Sequence, residues 1–323
     1  MRREGIHFPA LILCEFETMP NPWESDVELS VDIASSLINS QFPELAPVRV
    51  EQYAAGWDNI AYLVNERYIF RFPHRKLGAD LMENEVRALT HLAPLLPLAV
   101  PRPEFVGGPE GVYPYFFAGY PMIPGTTACR FAWTNELRAQ NARPLGEFLR
   151  ALHTITVDEE TLSWAPRDTI ERSNLAKRAP MAIERLRKIA PMVHNIDIEA
   201  LIREMERLAQ APLHSGPPCW VHGDLYARHI LVNKVGWLCG VIDWGDVHLG
   251  DPALDISIAL SLLPPVARPE FEAAYGPIDQ PMWDRAKFKA IFYGPPLVLY
   301  GMDVGDRAIR RAGEDALRLA SQF

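Results

Sequence analysis

Apolar positions first recur at helical spacing in Val27, Val31, Ala34 and Ile38, behind a Ser25-Asp-Val-Glu28 start with the form of a capping box. That spacing predicts a helix ending before Pro43. Three strand-like runs follow: VRVEQY (48–53), NIAYLV (59–64) and RYIFRF (67–72). The Asn65-Glu66 link between the last two is short enough for a hairpin. ADLMENEVRALTHL (79–92) returns to helical spacing, and PEFVG and YPYFFAGYPMI read as two further strands. The chain up to about residue 120 therefore predicts an antiparallel sheet interrupted by one helix.

Past Pro124-Gly125 the pattern turns mostly helical. RPLGEFLRALHTI (143–155) is one candidate, and IDIEALIREMERLAQ (196–210) another, with Ile198, Leu201, Ile202, Met205 and Leu208 on one face. Strand spacing returns between 221 and 246, where HILV, a turn over Asn233 to Gly236, and WLCGVID predict a hairpin. Segments 252–263, 281–300 and 305–321 predict three closing helices. This order predicts a bilobal α+β fold: an extension over 1–24, a small β-rich lobe over 25–123, a hinge at 121–125 and a larger helical lobe over 124–323.

At 323 residues, 48% hydrophobic and 23% charged, the chain can bury a large core. A net charge of −9 argues against nucleic acid as a partner and requires locally placed cations for any anionic ligand. Four scattered cysteines without CxxC spacing argue against a zinc site or a disulfide scaffold and suit a reducing cytoplasm. No apolar run approaches the length of a membrane helix, so no membrane association is expected. The start, MRREGIHFPALILCEFE, has basic residues before a short apolar stretch but no cleavage-type site, and reads as a non-targeting extension with Met19 as an alternative start. A monomer or weak homodimer is expected.

Candidate chemistry concentrates in VHGDLYARHILVNKVGWLCGVIDWGD (221–246). Asp224 and Asp243 each follow an apolar run and bracket the predicted hairpin, with His222 and His229 beside them; Gly245 permits a sharp turn after Asp243. Such acids either cap turns or converge on one point. HGD with His229 also raises a metallohydrolase, though no HExxH accompanies it. In QYAAGWDN (52–59), Gly56, Asp58 and Asn59 form either a simple turn or a phosphate-approaching loop, without Walker or GxGxxG form. In RYIFRF, Arg71 faces away from Tyr68, Phe70 and Phe72, either solvated or as an anion ligand. Glu85 lies on the apolar stripe of its helix, where a carboxylate needs a cation, and Arg71 is the expected partner. Asp251 and Asp255 of GDPALD read as a cap and a first-turn acid of the following helix, and His153 as a core histidine. Trp164, Trp283 and Tyr293 either line an apolar pocket or fill core.

HGDLYARHILV, GVIDWGDVHLGDPALDIS, GWDN…YIFRFP, the Glu85 helix, GYPMIPG and LGEFLRALH occur in the order found in aminoglycoside phosphotransferase-like kinases, which the chain resembles over roughly residues 25–320. The resemblance implies a protein-kinase-like fold and transfer of the γ-phosphate of ATP or GTP to a hydroxyl of an antibiotic-like or metabolite substrate. It implies Asp224 as the base, with His222 orienting its loop, and Asp243 as a ligand of Mg²⁺. Arg71, braced by Glu85, would stand where the family has its phosphate-binding Lys, with Gly56, Asp58 and Asn59 over the nucleotide and Met122 and Ile123 at its base. His229 stands where most members have a metal-binding Asn; as an imidazole it would act through water, on a phosphate, or leave one metal. Macrolide phosphotransferases share a His there, a lean towards that branch. A non-catalytic nucleotide binder and a metal-dependent hydrolase are the alternatives.

Overall fold

The computed structural model describes residues 25–56 and 58–323; the stretch 1–24, read above as an extension, and Trp57 lie outside the described residues. The chain runs α1 (Val31–Gln41), β1 (Val50–Ala55), β2 (Asn59–Val64), β3 (Tyr68–Pro73), α2 (Lys76–Leu92), β4 (Phe105–Gly107), β5 (Phe117–Pro121) and β6 (Thr126–Thr127). There follow α3 (Asn135–Gln140), α4 (Ala142–His153), α5 (Glu159–Trp164), α6 (Leu175–Ile189) and α7 (Ile198–Leu208). Then come β7 (Cys219–Val221), β8 (Ile230–Val232), β9 (Leu238–Val241), β10 (His248–Gly250), α8 (Ala253–Ser261), α9 (Arg268–Tyr275), α10 (Gln280–Asp303) and α11 (Arg307–Ala320).

Strands β1 to β5 form an antiparallel sheet in the order β1-β2-β3-β5-β4. The β2–β3 hairpin closes through Asn65 and Glu66, both left-handed at φ +53° and +55°, the conformation whose twist matches a two-residue link. Side-chain alternation then divides the sheet into two faces. Phe70 and Phe72 pack with Tyr62, Phe117, Phe42 and Ile38 under α1, forming one core. Ala118 and Tyr120 of β5 join Met82, Ala88 and Leu89 of α2 in a second core that extends through the helical lobe. Arg71, on the strand beside them, thus points towards α2 and the second lobe, not into bulk solvent.

The α1 cap differs from expectation. Ser30, not Ser25, accepts the Ile33 amide at 3.2 Å, and the helix starts at Val31. Residues near Ser25 bend without forming a helix, because the Asp26 amide donates to the His74 carbonyl at 2.9 Å and its carboxylate accepts the Lys76 amide at 2.8 Å. A segment tied at both groups to the start of α2 cannot adopt the first helical turn.

In the helical lobe, α10 packs against α8, α11, α6 and α7, and two small sheets lie towards the first lobe: β6-β8-β9 and β10-β7. The sequence did not predict α3, α5, α6 or α9. In α6 the internal Pro180 is exposed, and the buried stripe of Leu175, Ala179, Ala182, Leu186 and Ile189 continues past it. Among the described residues, no helix is long and apolar enough to cross a membrane.

Candidate functional site

Strand β7 is followed by the loop His222-Gly223-Asp224. Gly223 is left-handed at φ +81°, and a Cβ there would stand 2.5 Å from the Asp246 carbonyl oxygen and 2.8 Å from the His248 ring. Only glycine lets the loop pass so close to the segment after β9. From below, the fully buried Asp255 accepts the His222 amide at 2.7 Å and the Gly223 amide at 2.9 Å. His153 adds a third contact to that carboxylate at 3.2 Å. Burial opposes the Asp255 charge, but the His153 and His222 contacts hold its carboxyl below the usual range. Asp255 is therefore more than a first-turn acid matched to a helix dipole: it is the anchor of the loop. Asp251 accepts the Ala253 amide at 3.0 Å, as a cap should, and also pairs with Arg285 at 2.7 Å.

The His222 ring is buried and ties the loop to the next strand. Its Nε2 lies 3.0 Å from the Ile242 carbonyl, and its Nδ1 accepts the Asp224 amide at 3.3 Å, so the hydrogen sits on Nε2. Burial pushes its pKa down, which keeps it neutral. The Asp224 carboxylate faces α10, where the Tyr293 hydroxyl donates to Oδ1. It remains 28% exposed, open on one side for another partner.

His229 stands between the two acids. Its Nδ1 is 2.7 Å from the Asp224 carbonyl oxygen and its Nε2 is 3.2 Å from Asp243 Oδ2. Both nitrogens meet acceptors, which suits the imidazolium. Burial opposes that charge, but Asp243 outweighs it and the pKa is raised. Asp243 itself is left-handed at φ +65°, a non-glycine conformation that costs on the order of 1 kcal/mol. Gly245 lies in the turn expected after Asp243, closed by the Val247 amide donating to the Trp244 carbonyl at 3.0 Å. The left-handed backbone of Asp243 itself directs its side chain away from the buried Trp244 and towards His229 and Arg71, the latter 3.5 Å away. Although partial desolvation by the surrounding site opposes its charge, His229 and Arg71 hold the half-exposed carboxyl well below the usual carboxylate range.

Arg71 donates to Glu85 at 2.5 Å, and Glu85 is only 1% exposed. Burial pushes the Glu85 carboxyl up to about 7, a rise that Arg71 restrains. Burial also opposes the Arg71 charge, yet Glu85 and Asp243 keep it protonated. One guanidinium thereby links a helix of the sheet lobe to the acid that follows β9.

Three expected residues sit apart from this group. Gly56 donates its amide to the Asn59 carbonyl at 2.9 Å, and Asp58 accepts from Arg75 Nε at 2.7 Å. Asn59 Oδ1 is buried and without a partner among the described residues. At the strand end, the Met122 amide is committed to the Arg67 carbonyl at 2.8 Å, leaving Ile123 as the residue without a backbone hydrogen bond there among the described residues.

Other residues at the site gave no signal in the sequence. Arg172, in the irregular stretch between α5 and α6, joins Asp168 at 3.0 Å and also Asp246. Asp246 thereby acquires a partner that the sequence did not suggest. Tyr293, read from the sequence as pocket lining or core, instead places its hydroxyl on Asp224; it and Lys289 come from α10, Tyr293 being 69 residues beyond Asp224. Their i,i+4 spacing placed them together on a helix face, but nothing placed that face against Asp224. Trp283 packs against Phe271, and Trp164 against Trp220, both as core.

Comparison with known proteins adds three likenesses of fold. The chain is 24% identical to a GDP complex of wild-type aminoglycoside 2'-phosphotransferase-IIIa, with a TM-score of 0.67 over 91% of this chain and 100% of that one. It is 23% identical to a related aminoglycoside phosphotransferase bound to GDP and kanamycin, with a TM-score of 0.64 over 90% of this chain and 98% of the other. A macrolide 2'-phosphotransferase from Brachybacterium faecium matches at 21% identity and a TM-score of 0.60, over 89% of this chain and 97% of that one. The shared fold is the bilobal α+β fold that the order of strands and helices suggested, in the protein-kinase-like form that the family resemblance implied. The family model described as "Phosphotransferase enzyme family" matches residues 49–289, from β1 through Lys289 in α10; the chain belongs to this family and is a phosphotransferase.

Proposed function

We propose that the protein is a small-molecule kinase that transfers the γ-phosphate of ATP or GTP to an alcohol. The observation that carries this reading is the bridge made by His229, with Nδ1 at 2.7 Å from the Asp224 carbonyl and Nε2 at 3.2 Å from Asp243. It fixes one open carboxylate beside another that is linked to a cation of the sheet lobe.

Asp224 Oδ2 accepts the proton of the acceptor hydroxyl while Tyr293 holds Oδ1. The acceptor oxygen then forms its bond to the γ-phosphorus, and the bond from that phosphorus to the nucleoside diphosphate oxygen breaks. Arg71, steadied by Glu85, binds phosphate oxygens of the donor with its fork. His222 braces the loop without touching the reactants, being fully buried. Gly56, Asp58 and Asn59 border the nucleotide from above, and Ile123 offers backbone groups to its base. The boundary between the lobes falls at 121–125 in this reading.

Among the described residues, no three His, Cys, Asp or Glu side chains converge as a metal cage. Mg²⁺ commonly needs only one or two carboxylates plus substrate phosphates, and Asp243, with 52% of its side chain exposed, fits that mode. His229 Nε2 is turned onto Asp243, so it supports that carboxylate more readily than it ligates a metal itself. When bound with the nucleotide, the ion supplies charge neutralisation at the phosphates.

The test is nucleotide binding and turnover of the purified chain with Mg²⁺. Asp224→Ala should retain ATP or GTP binding and lose transfer by about a hundredfold or more. If the wild type binds neither nucleotide, the reading is wrong.

A further inference from the structure

Besides the Arg71 pairs, a second set of charges lies near Asp224. Arg172 is occupied by Asp168 and Asp246. Lys289, only 6% exposed, makes no ion pair or hydrogen bond among the described residues. Its ammonium lies 4.2 Å from the centroid of the Tyr293 ring, and the hydroxyl of that same ring donates to Asp224. The ring therefore spaces the cation beside the acid without pairing the two.

Lys289 lies near Asp224 and the Arg172, Asp168 and Asp246 group, whereas Arg71 is paired with Glu85 and Asp243. Lys289 thus belongs with the irregular stretch and α10, not with the acids and cation assigned above to the donor phosphates. An ammonium largely shut off from water, with acids nearby but none in contact, is in an unfavourable setting, and burial pushes its pKa down to about 8. An incoming anionic group would remove that disadvantage, while a polycationic acceptor would add like charge.

Resting on the kinase reading, we propose that Lys289 and Tyr293 form the acceptor-side wall of the base, and that Lys289 selects an alcohol bearing its own carboxylate or phosphate. Tyr293 sets the carboxylate of Asp224 towards the hydroxyl, and Lys289 receives the acceptor's anion one ring's width away. The same site disfavours amine-rich acceptors.

The full chain is assayed with Mg²⁺ and ATP or GTP for nucleoside diphosphate release. The acceptors are glycerol 3-phosphate and gluconate, their uncharged counterparts glycerol and sorbitol, and the polycation kanamycin. At least one anionic alcohol should exceed its neutral counterpart in kcat/KM by about tenfold or more, with kanamycin below both. Lys289→Gln should raise KM for that anionic alcohol by about tenfold, with kcat little changed, and Lys289→Arg should recover most of the loss. Lys289→Met, which keeps the apolar stem, should repeat the Gln result if folding complicates the first variant. Preference for kanamycin, or no turnover of either anionic alcohol by a nucleotide-binding wild type, overturns the inference. An equal fall in kcat on every acceptor also overturns it, since Lys289 would then serve the transferred phosphoryl. Failure of the wild type to bind nucleotide would overturn the kinase reading, and this inference with it.

Discussion

Arg71 and Arg172 each hold two carboxylates, and each takes one of them from the same short segment, Ile242 to Asp246. Arg71 joins Glu85 to Asp243, while Arg172 joins Asp168 to Asp246. Their surroundings differ. Glu85 is 1% exposed inside a helix that belongs to the main core, whereas Asp168 and Asp246 are 16% and 36% exposed. The first arrangement is a buried pair in which losing either member strands a charge. The second is a partly wet clamp on irregular chain, which water can relieve. One side of the segment is thus rigidly specified, and the other can adjust its contacts at modest cost.

Removing the guanidinium is the strongest way to break this contrast. Arg71→Ala should destabilise the protein by about 3–5 kcal/mol, against about 1–2 kcal/mol for Arg172→Ala, in urea unfolding monitored by circular dichroism. Equal losses would show that the two clamps are energetically alike. A double replacement of Arg71 and Glu85 by Met should recover much of the first loss, since no charge remains buried.

Next in size is the effect of neutralising the two acids. Asp243→Asn should weaken Mg²⁺-dependent nucleotide binding by about tenfold to a hundredfold, measured by calorimetric titration with and without the metal. Asp246→Asn should leave that binding within about twofold, because its partner lies on the other side. Arg71→Lys, which keeps the charge but not the fork, should raise the nucleotide KM several-fold without changing kcat, as steady-state kinetics would show. The smallest effect concerns Tyr293→Phe. Loss of one hydrogen bond to Asp224 should lower kcat by about fivefold to tenfold and leave nucleotide affinity unchanged.

The same contrast explains what the sequence disclosed. Residues on regular elements follow a period, so Arg71 could be placed off the aromatic face of its strand, and Glu85 on the apolar stripe of its helix. Together those placements made the pair legible. Strands β2 and β3 and helices α7, α10 and α11 were legible for the same reason. Arg172 and Asp168 lie where no period operates, and Asp255, Tyr293 and Lys289 reach the site only through tertiary packing. The error over Ser25 was of a related kind: a valid local capping signal was overridden by a tether to α2. The turn expected at Gly245 is present, but the left-handed backbone of Asp243 just before it left no trace in composition, because contacts to His229 and Arg71 hold that residue there.

The hold of Asp255 on the His222 and Gly223 amides has a consequence for motion. Loops that present reactive groups are usually among the first parts of a protein to open. Here two successive amides of such a loop donate to one buried carboxylate rooted in a core helix. Their hydrogens should exchange with deuterium on the timescale of that helix, not of the surface loops around it. The proton acceptor would then ride on the last part of the lobe to breathe.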